Sequence, residues 1–205
     1  MDNKKAVEAS DTRRRGETLE DALLTAAREE LAEVGYNRLS MKGVAERAKT
    51  SRSVLSRRWN SRVEMVLSVM RMNGSLFTDA PADTGSLRED MLALLRQFIK
   101  RFHEIGADVV LGIMTDCLSG AAAPFDLQEN MMAANLAHTK IIVERAVKRD
   151  EAHDNIPDHV LAVPMELLRA KLLIGGEPDG DAFLYQIVDD VFMPLVGKTK
   201  ISKLK

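Results

Sequence analysis

Between positions 38 and 62 the chain sets Arg38, Lys42, Arg47, Lys49, Arg52, Arg57, Arg58 and Arg62 against a single acid, Glu46, for a local net charge of +7. Hydroxyl groups are interleaved with these cations at Thr50, Ser51, Ser53 and Ser56. Guanidinium and ammonium groups neutralise phosphates and release their counterions, while short hydroxyl side chains hydrogen-bond phosphate oxygens and base edges. Such chemistry suits duplex nucleic acid. The cluster taken alone reads equally well as a solvated helical face, so its placement has to decide. No comparable case exists for catalysis or metal binding. His103 stands on a different expected helix from Asp116 and Cys117, no activating motif accompanies them, and no catalytic residue is assigned. His103 and His138 lack ligand spacing with a carboxylate, and His153 with His159 is too little for zinc, so neither a metal nor a cofactor is expected.

The whole-chain balance would argue against a nucleic-acid partner: 205 residues carry 29 Lys+Arg and 31 Asp+Glu, a formal charge of −2. Resolved along the chain, residues 1–62 carry +4 and the remaining 143 carry −6. A hydrophobic content of 45% is enough to bury a core in one or two small domains, and it excludes disorder, collagen and mucin-like stalks. No apolar run approaches the ~20 residues of a membrane span. The N-terminus has no apolar segment of the secretory kind, and the single Cys117 allows no internal disulfide. A membrane partner is therefore not expected, and a reducing cytoplasm is the expected setting.

Positioning these residues requires helices, since alternating strand patterns are absent and apolar residues recur at helical spacing. Residues 1–16 read as a flexible basic arm ending in Arg13-Arg14-Arg15, and a first helix is expected over 17–35, closed by Gly35. Ser40 should cap a short second helix with Met41, Val44, Ala45 and Ala48 on one face; a tight turn near Lys49-Thr50 leads to a third helix, 51–58, with Val54 and Leu55 inward. Ser61 should cap a fourth, whose stripe of Val63, Val66, Leu67 and Met70 continues toward Phe77. Residues 78–85 form the best candidate linker, and Ser86 to Glu89 has capping-box spacing. Further helices are expected from there to about Glu104, over 107–118 and 127–149, to about Leu173 with Pro164 in the first turn, and over 181–193. The expected architecture is all-α: the arm, a helix-turn-helix DNA-binding domain over 17–62, and a helical bundle over 63–205.

The segment from Leu23 to Val69 resembles the N-terminal domain of TetR/AcrR-type transcriptional regulators. It has an Ala-Ala helix ending in Gly35-Tyr36, then Leu39-Ser40-Met41 leading to Val44-Ala45-Ala48, then Ser51 and Leu55, and an aromatic, Trp59, before Asn60-Ser61. The resemblance implies DNA contacts by Lys42, Thr50, Ser51, Arg52, Ser53, Ser56 and Arg57, with Arg62 holding a phosphate at the start of the fourth helix. Two positions depart from the family: Lys49 stands where the turn usually has glycine, and Ser56 where the third helix usually has a phosphate-binding tyrosine. Lys49 must then adopt a left-handed conformation or the turn must differ. Tyr36 could offer its hydroxyl to a phosphate or pack at the end of the first helix.

The family likeness extends to a helical ligand-binding and dimerisation part. It implies a small apolar effector between walls built from Met91, Leu95, Phe98, Phe102, Met114, Cys117, Met132 and Leu136, though such residues equally well fill a core. The last two helices carry Val160, Val163, Leu167, Leu168 and Leu172 with Phe183, Ile187, Val191 and Leu195, more apolar surface than two terminal helices bury alone. A homodimer through a four-helix interface is expected, reading an inverted repeat in double-stranded operator DNA. The rival is an all-helical small-molecule carrier or enzyme with no DNA role. A second keeps the fold as an architectural DNA binder without a ligand.

Overall fold

The helical periodicity is realised in a computed structural model that describes residues 19–72, 80–120, 124–176 and 179–198, without the side chains of 124–132 and 134. The basic arm, Phe77, the first residues of the expected linker and the side chain of Met132 lie outside the described residues. Helix α1 occupies 19–34. A 3₁₀ turn, Tyr36–Arg38, is followed by α2 (Met41–Arg47), α3 (Arg52–Ser56), α4 (Arg62–Met72), α5 (Leu87–Ile105), α6 (Ala107–Leu118), α7 (Pro124–Lys148) and α8 (Asp158–Ala170). The chain ends in α9 (Ala182–Tyr185) and α10 (Met193–Val196). Among the described residues β pairing is limited to an isolated bridge between Ala152 and Gly197, and no helix is long and apolar enough to cross a membrane.

Two packed units result: α1–α4 with α6, and α5 with α7–α10. In the first, Leu23, Val44, Leu55 and Trp59 are buried as the periodicity requires, whereas Val34 and Val54 are half-buried. Trp59 keeps its indole N–H satisfied by the Ser68 hydroxyl at 3.0 Å. Gly112 on α6 lies flat against the Tyr36 ring, so a Cβ there would overlap the ring carbons. This close approach brings α6 onto the end of α1.

In the second unit the start of α5 is capped twice. The Ser86 hydroxyl accepts from the Glu89 N–H, and the Leu87 N–H donates to Glu151 at 2.9 Å. Asp90, fully buried, accepts from the Thr84 N–H (2.6 Å) and hydroxyl (2.7 Å) and faces Arg149 at 3.3 Å. A buried carboxylate needs such partners. Arg88 and Arg96 on α5 pair with Asp189 and Asp181, which ties α5 to the C-terminal helices.

Three expectations need correction. Pro164 is not in the first turn of its helix but inside it, because Pro157 already occupies the N-cap of α8. Its ring is buried, and the helix forgoes the N–H that would bond the Val160 carbonyl. The last helices do not run as plain α-helix either: α8 continues as a π-helical stretch, Lys171–Gly175, and α9 reaches α10 through another, Gln186–Phe192. The third helix is shorter than expected, five residues against 51–58, with Ser51 serving as its N-cap.

The Gly112 contact gives a direct test. Gly112→Ala must push α6 off the Tyr36 ring, and it is expected to lower stability by about 1–3 kcal/mol in chemical unfolding. An unchanged midpoint would mean that the ring and α6 are not packed this way.

Candidate nucleic-acid interface

Helices α2 and α3 meet through a tight turn whose hydrogen bonds are those of a Schellman closure. The Thr50 N–H reaches the Ala45 carbonyl at 2.9 Å, and the Lys49 N–H reaches that of Glu46 at 3.1 Å. The closure needs a left-handed residue after the helix, and Lys49 supplies it with φ 51. A lysine can hold this conformation at modest cost, with its ammonium still in solvent. Ser40 opens α2 by accepting from the Gly43 N–H at 3.0 Å.

Around this turn the structure sorts the basic cluster into two groups. Lys42, Lys49, Arg52 and Arg57 are exposed, as are Ser51, Ser53 and Ser56; Thr50 is half-buried. Ser51 and Ser53 share a hydrogen bond of 2.8 Å between hydroxyls. Lys42 approaches Glu46 at 3.5 Å, an exposed pair of little strength. The other group is engaged within the fold or less exposed: Arg47 is gripped by Glu30 and Glu33 of α1, Arg62 is turned inward and Arg58 is half-buried, while Arg38, still exposed, donates to the Val34 carbonyl.

Arg62 makes a two-pronged pair with Asp116 of α6, Nε to Oδ2 at 2.6 Å and Nη2 to Oδ1 at 2.7 Å. Its guanidinium also lies 4.7 Å from the Tyr36 ring centre. The buried Tyr36 hydroxyl donates to the same Asp116 Oδ2 at 2.9 Å. Tyr36 is thus packed within the fold rather than available to a phosphate. Asp116 was visible in the sequence only as an acid in a mostly apolar helix, and its role comes from partners 54 and 80 residues away. Hydrogen bonding from Arg62, helped by Tyr36, holds the Asp116 carboxyl below its usual range against the opposing effect of burial. Burial and the Asp116 carboxylate together push the Tyr36 hydroxyl upward, and Arg62 is raised by its bond to Asp116. Burial also raises the Cys117 thiol, with the Asp116 carboxylate adding to it.

Of the residues expected to wall a ligand pocket, Met91, Leu95 and Phe102 are buried, Phe98 and Cys117 half-buried, and Met114 exposed. Of the seven described, Leu136 lines a cleft of about 490 Å³ between α7 and α8.

Similarity to known proteins agrees with this arrangement. Residues 23–69 match the model of bacterial regulatory proteins of the tetR family, and residues 81–191 match a tetracyclin repressor-like C-terminal domain. A DNA-binding transcriptional repressor, TetR, of Mycobacteroides abscessus is 28% identical over 183 residues, 89% of this chain and 96% of that protein. An uncharacterized HTH-type transcriptional regulator of Mycobacterium bovis is 30% identical over 178 residues, covering 85% of this chain and 86% of its own. Among solved structures, the flavonoid-responsive regulator FrrA superposes with a TM-score of 0.57 at 17% identity, over 88% of this chain and 97% of that one. SmeT, the repressor of the Stenotrophomonas maltophilia multidrug efflux pump SmeDEF, gives 0.56 at 14% identity, over 88% and 91%. These two likenesses concern the fold.

The pairing of Asp116 makes stability depend on pH. Because the folded carboxyl ionises below its ordinary value, its contribution is present in full above about pH 4 and fades as pH falls further. Asp116→Asn is expected to lower stability by about 2 kcal/mol at neutral pH, with the gap to the unaltered protein closing in acid. Urea unfolding at a series of pH values reads both; a gap that does not change with pH would remove the charge from the explanation.

Proposed function

This chain belongs to the TetR family of bacterial regulatory proteins, a DNA-binding transcriptional regulator, and we propose that it represses by gripping an inverted-repeat operator as a homodimer. The observation that carries the reading is the exposed face of the α2–α3 unit, where four exposed cations and three hydroxyls surround a closed turn. In this reading α3 enters the major groove with Ser51, Arg52, Ser53, Ser56 and Arg57, while Lys42 and Thr50 lie at the flanking backbone. Arg62, held by Asp116, acts at the operator through the α4 terminus rather than as a free cation. A cytoplasmic setting and the absence of catalysis follow from the role, since regulators of this family are in general transcription factors and not enzymes.

Dimerisation is proposed through the last helices. Leu167, Ile174, Tyr185 and Leu195 are exposed there, whereas Leu168, Leu172 and Ile187, also expected at the interface, are buried within the chain itself. The dimer seam therefore draws on Val160, Val163, Leu167, Phe183, Val191 and Leu195. An effector releases the operator only if it binds the DNA-incompatible arrangement of the two heads more tightly than the compatible one. Ligand affinity shared equally by both states would shift nothing.

The test is a salt-resolved gel shift on DNA flanking the regulator's own gene. With the four exposed cations of each head on phosphates or bases, log affinity should fall with log salt at a slope of about −7. Arg52→Ala or Arg57→Ala should weaken binding about tenfold or more and flatten the slope by about 2 units per dimer, with the dimer still folded. Unchanged binding by both variants would remove α3 from the interface.

A further inference from the structure

The cavity between α7 and α8 contains a polar group without a mate. Asn135 is 5% exposed, lines the cavity, and its side-chain Nδ2 finds no acceptor among the described residues. Its surroundings are otherwise apolar in their inner part: Leu136, Ala162 and Met165, with Thr139, whose hydroxyl already donates to the Asn135 carbonyl at 3.3 Å. Toward solvent lie Ala133, Asp158 and His159, all exposed. The Lys140–Asp158 pair at 2.8 Å joins α7 to α8 beside the mouth.

A buried amide N–H with no partner costs free energy comparable to a lost hydrogen bond, and native folds rarely leave one. The cleft, about 490 Å³ and open to solvent, is far larger than the single water that the amide would need, and its inner wall is apolar. An apolar molecule that brings one oxygen acceptor to Nδ2 would both displace that water and fill the vacant bond. The cation-binding and anion-binding alternatives fail on charge: the acids at the mouth, Asp158 and Glu166, are paired with Lys140 and Arg169.

We infer that this α7–α8 cleft is the effector site, and that it selects small, largely apolar molecules bearing a carbonyl-type hydrogen-bond acceptor, received by Asn135. The inference rests on the proposed function in taking this unit as the sensing part. It differs from the sequence expectation in moving the site from the α5–α6 residues to Asn135, Thr139, Ala162 and Met165, with Leu136 common to both.

The experiment compares benzophenone with diphenylmethane, which share shape and differ by one carbonyl oxygen. Equilibrium dialysis on the purified full-length dimer, without DNA, should show benzophenone held about tenfold more tightly. Asn135→Leu should abolish that preference by removing the donor. Irradiated benzophenone should cross-link to peptides of α7 and α8, a readout that needs no variant if Asn135→Leu fails to fold. Equal binding of the two molecules, binding of neither, a preference surviving in Asn135→Leu, or cross-links elsewhere would overturn the assignment. Because DNA is absent, a protein that binds its operator yet ignores the carbonyl sinks this inference alone. One that prefers benzophenone but shifts no DNA sinks the repressor reading alone.

Discussion

Asp116 is a carboxylate placed where water reaches it poorly, and the shape of the first unit follows from the need to satisfy it. Neither Asp116 nor Arg62 would be tolerated there without the other, because an isolated charge in a poorly solvated site is far costlier than a paired one. Each partner comes from a different element: Arg62 from the first turn of α4, Tyr36 from the turn after α1, Asp116 from the last turn of α6. Gly112, one turn earlier on α6, allows the approach by leaving room for the Tyr36 ring. The three segments are therefore ordered together. Helix α6 belongs mechanically to the DNA-binding unit although more than thirty residues of sequence separate it from α4.

The same interaction changes how the basic cluster should be counted. A local charge of +7 suggests a dense phosphate-binding surface. Once Arg47 is committed to Glu30 and Glu33 and Arg62 to Asp116, with Arg58 half-buried, the exposed cations are Arg38, Lys42, Lys49, Arg52 and Arg57, of which Arg38 donates to a backbone carbonyl and Lys42 faces Glu46. Internal pairing thus takes part of the charge for architecture. Phosphate contacts supply much of the affinity of such a head. In the dimeric reading proposed above, two heads act on one duplex and the second contact is made at high effective concentration.

Helices and their caps were largely legible in the sequence because both are local. Apolar spacing gave α5 and α6 nearly to the residue, and Ser40 and Ser86 cap as their positions suggested. Lys49 was legible as a left-handed position, because the motif dictated the turn whatever residue occupied it. Pro164 was misread, since a proline is favoured in a first turn and nothing local revealed that Pro157 had already set the helix start. The π-helical stretches near the C-terminus had no sequence signal at all, being adjustments to packing. Long-range partnerships were equally hidden. Arg62 matched a phosphate-binding position, but its choice of Asp116 over a phosphate in the free protein depends on a contact 54 residues away. Asn135 looked like one polar residue among many, because its burial depends on how α8 crosses α7.

Both units are organised on the same physical device, a buried carboxylate answered by an arginine distant in sequence: Asp116 with Arg62 in the first, Asp90 with Arg149 in the second. Such pairs add little net stability compared with apolar packing, but they penalise every arrangement in which the partners separate. Bodies built this way resist gradual deformation, so a signal is carried by choosing between discrete arrangements rather than by softening either body. A ligand at Asn135 acts on α7 and α8, elements that contain no cation of the α2–α3 face. Its influence on DNA must then be exerted wholly through the relative stability of whole arrangements of the dimer. That is the condition under which a small apolar molecule, with one hydrogen bond to offer, can oppose a contact made by many charges: it need only favour one arrangement by a few kcal/mol, about the range of allosteric coupling energies.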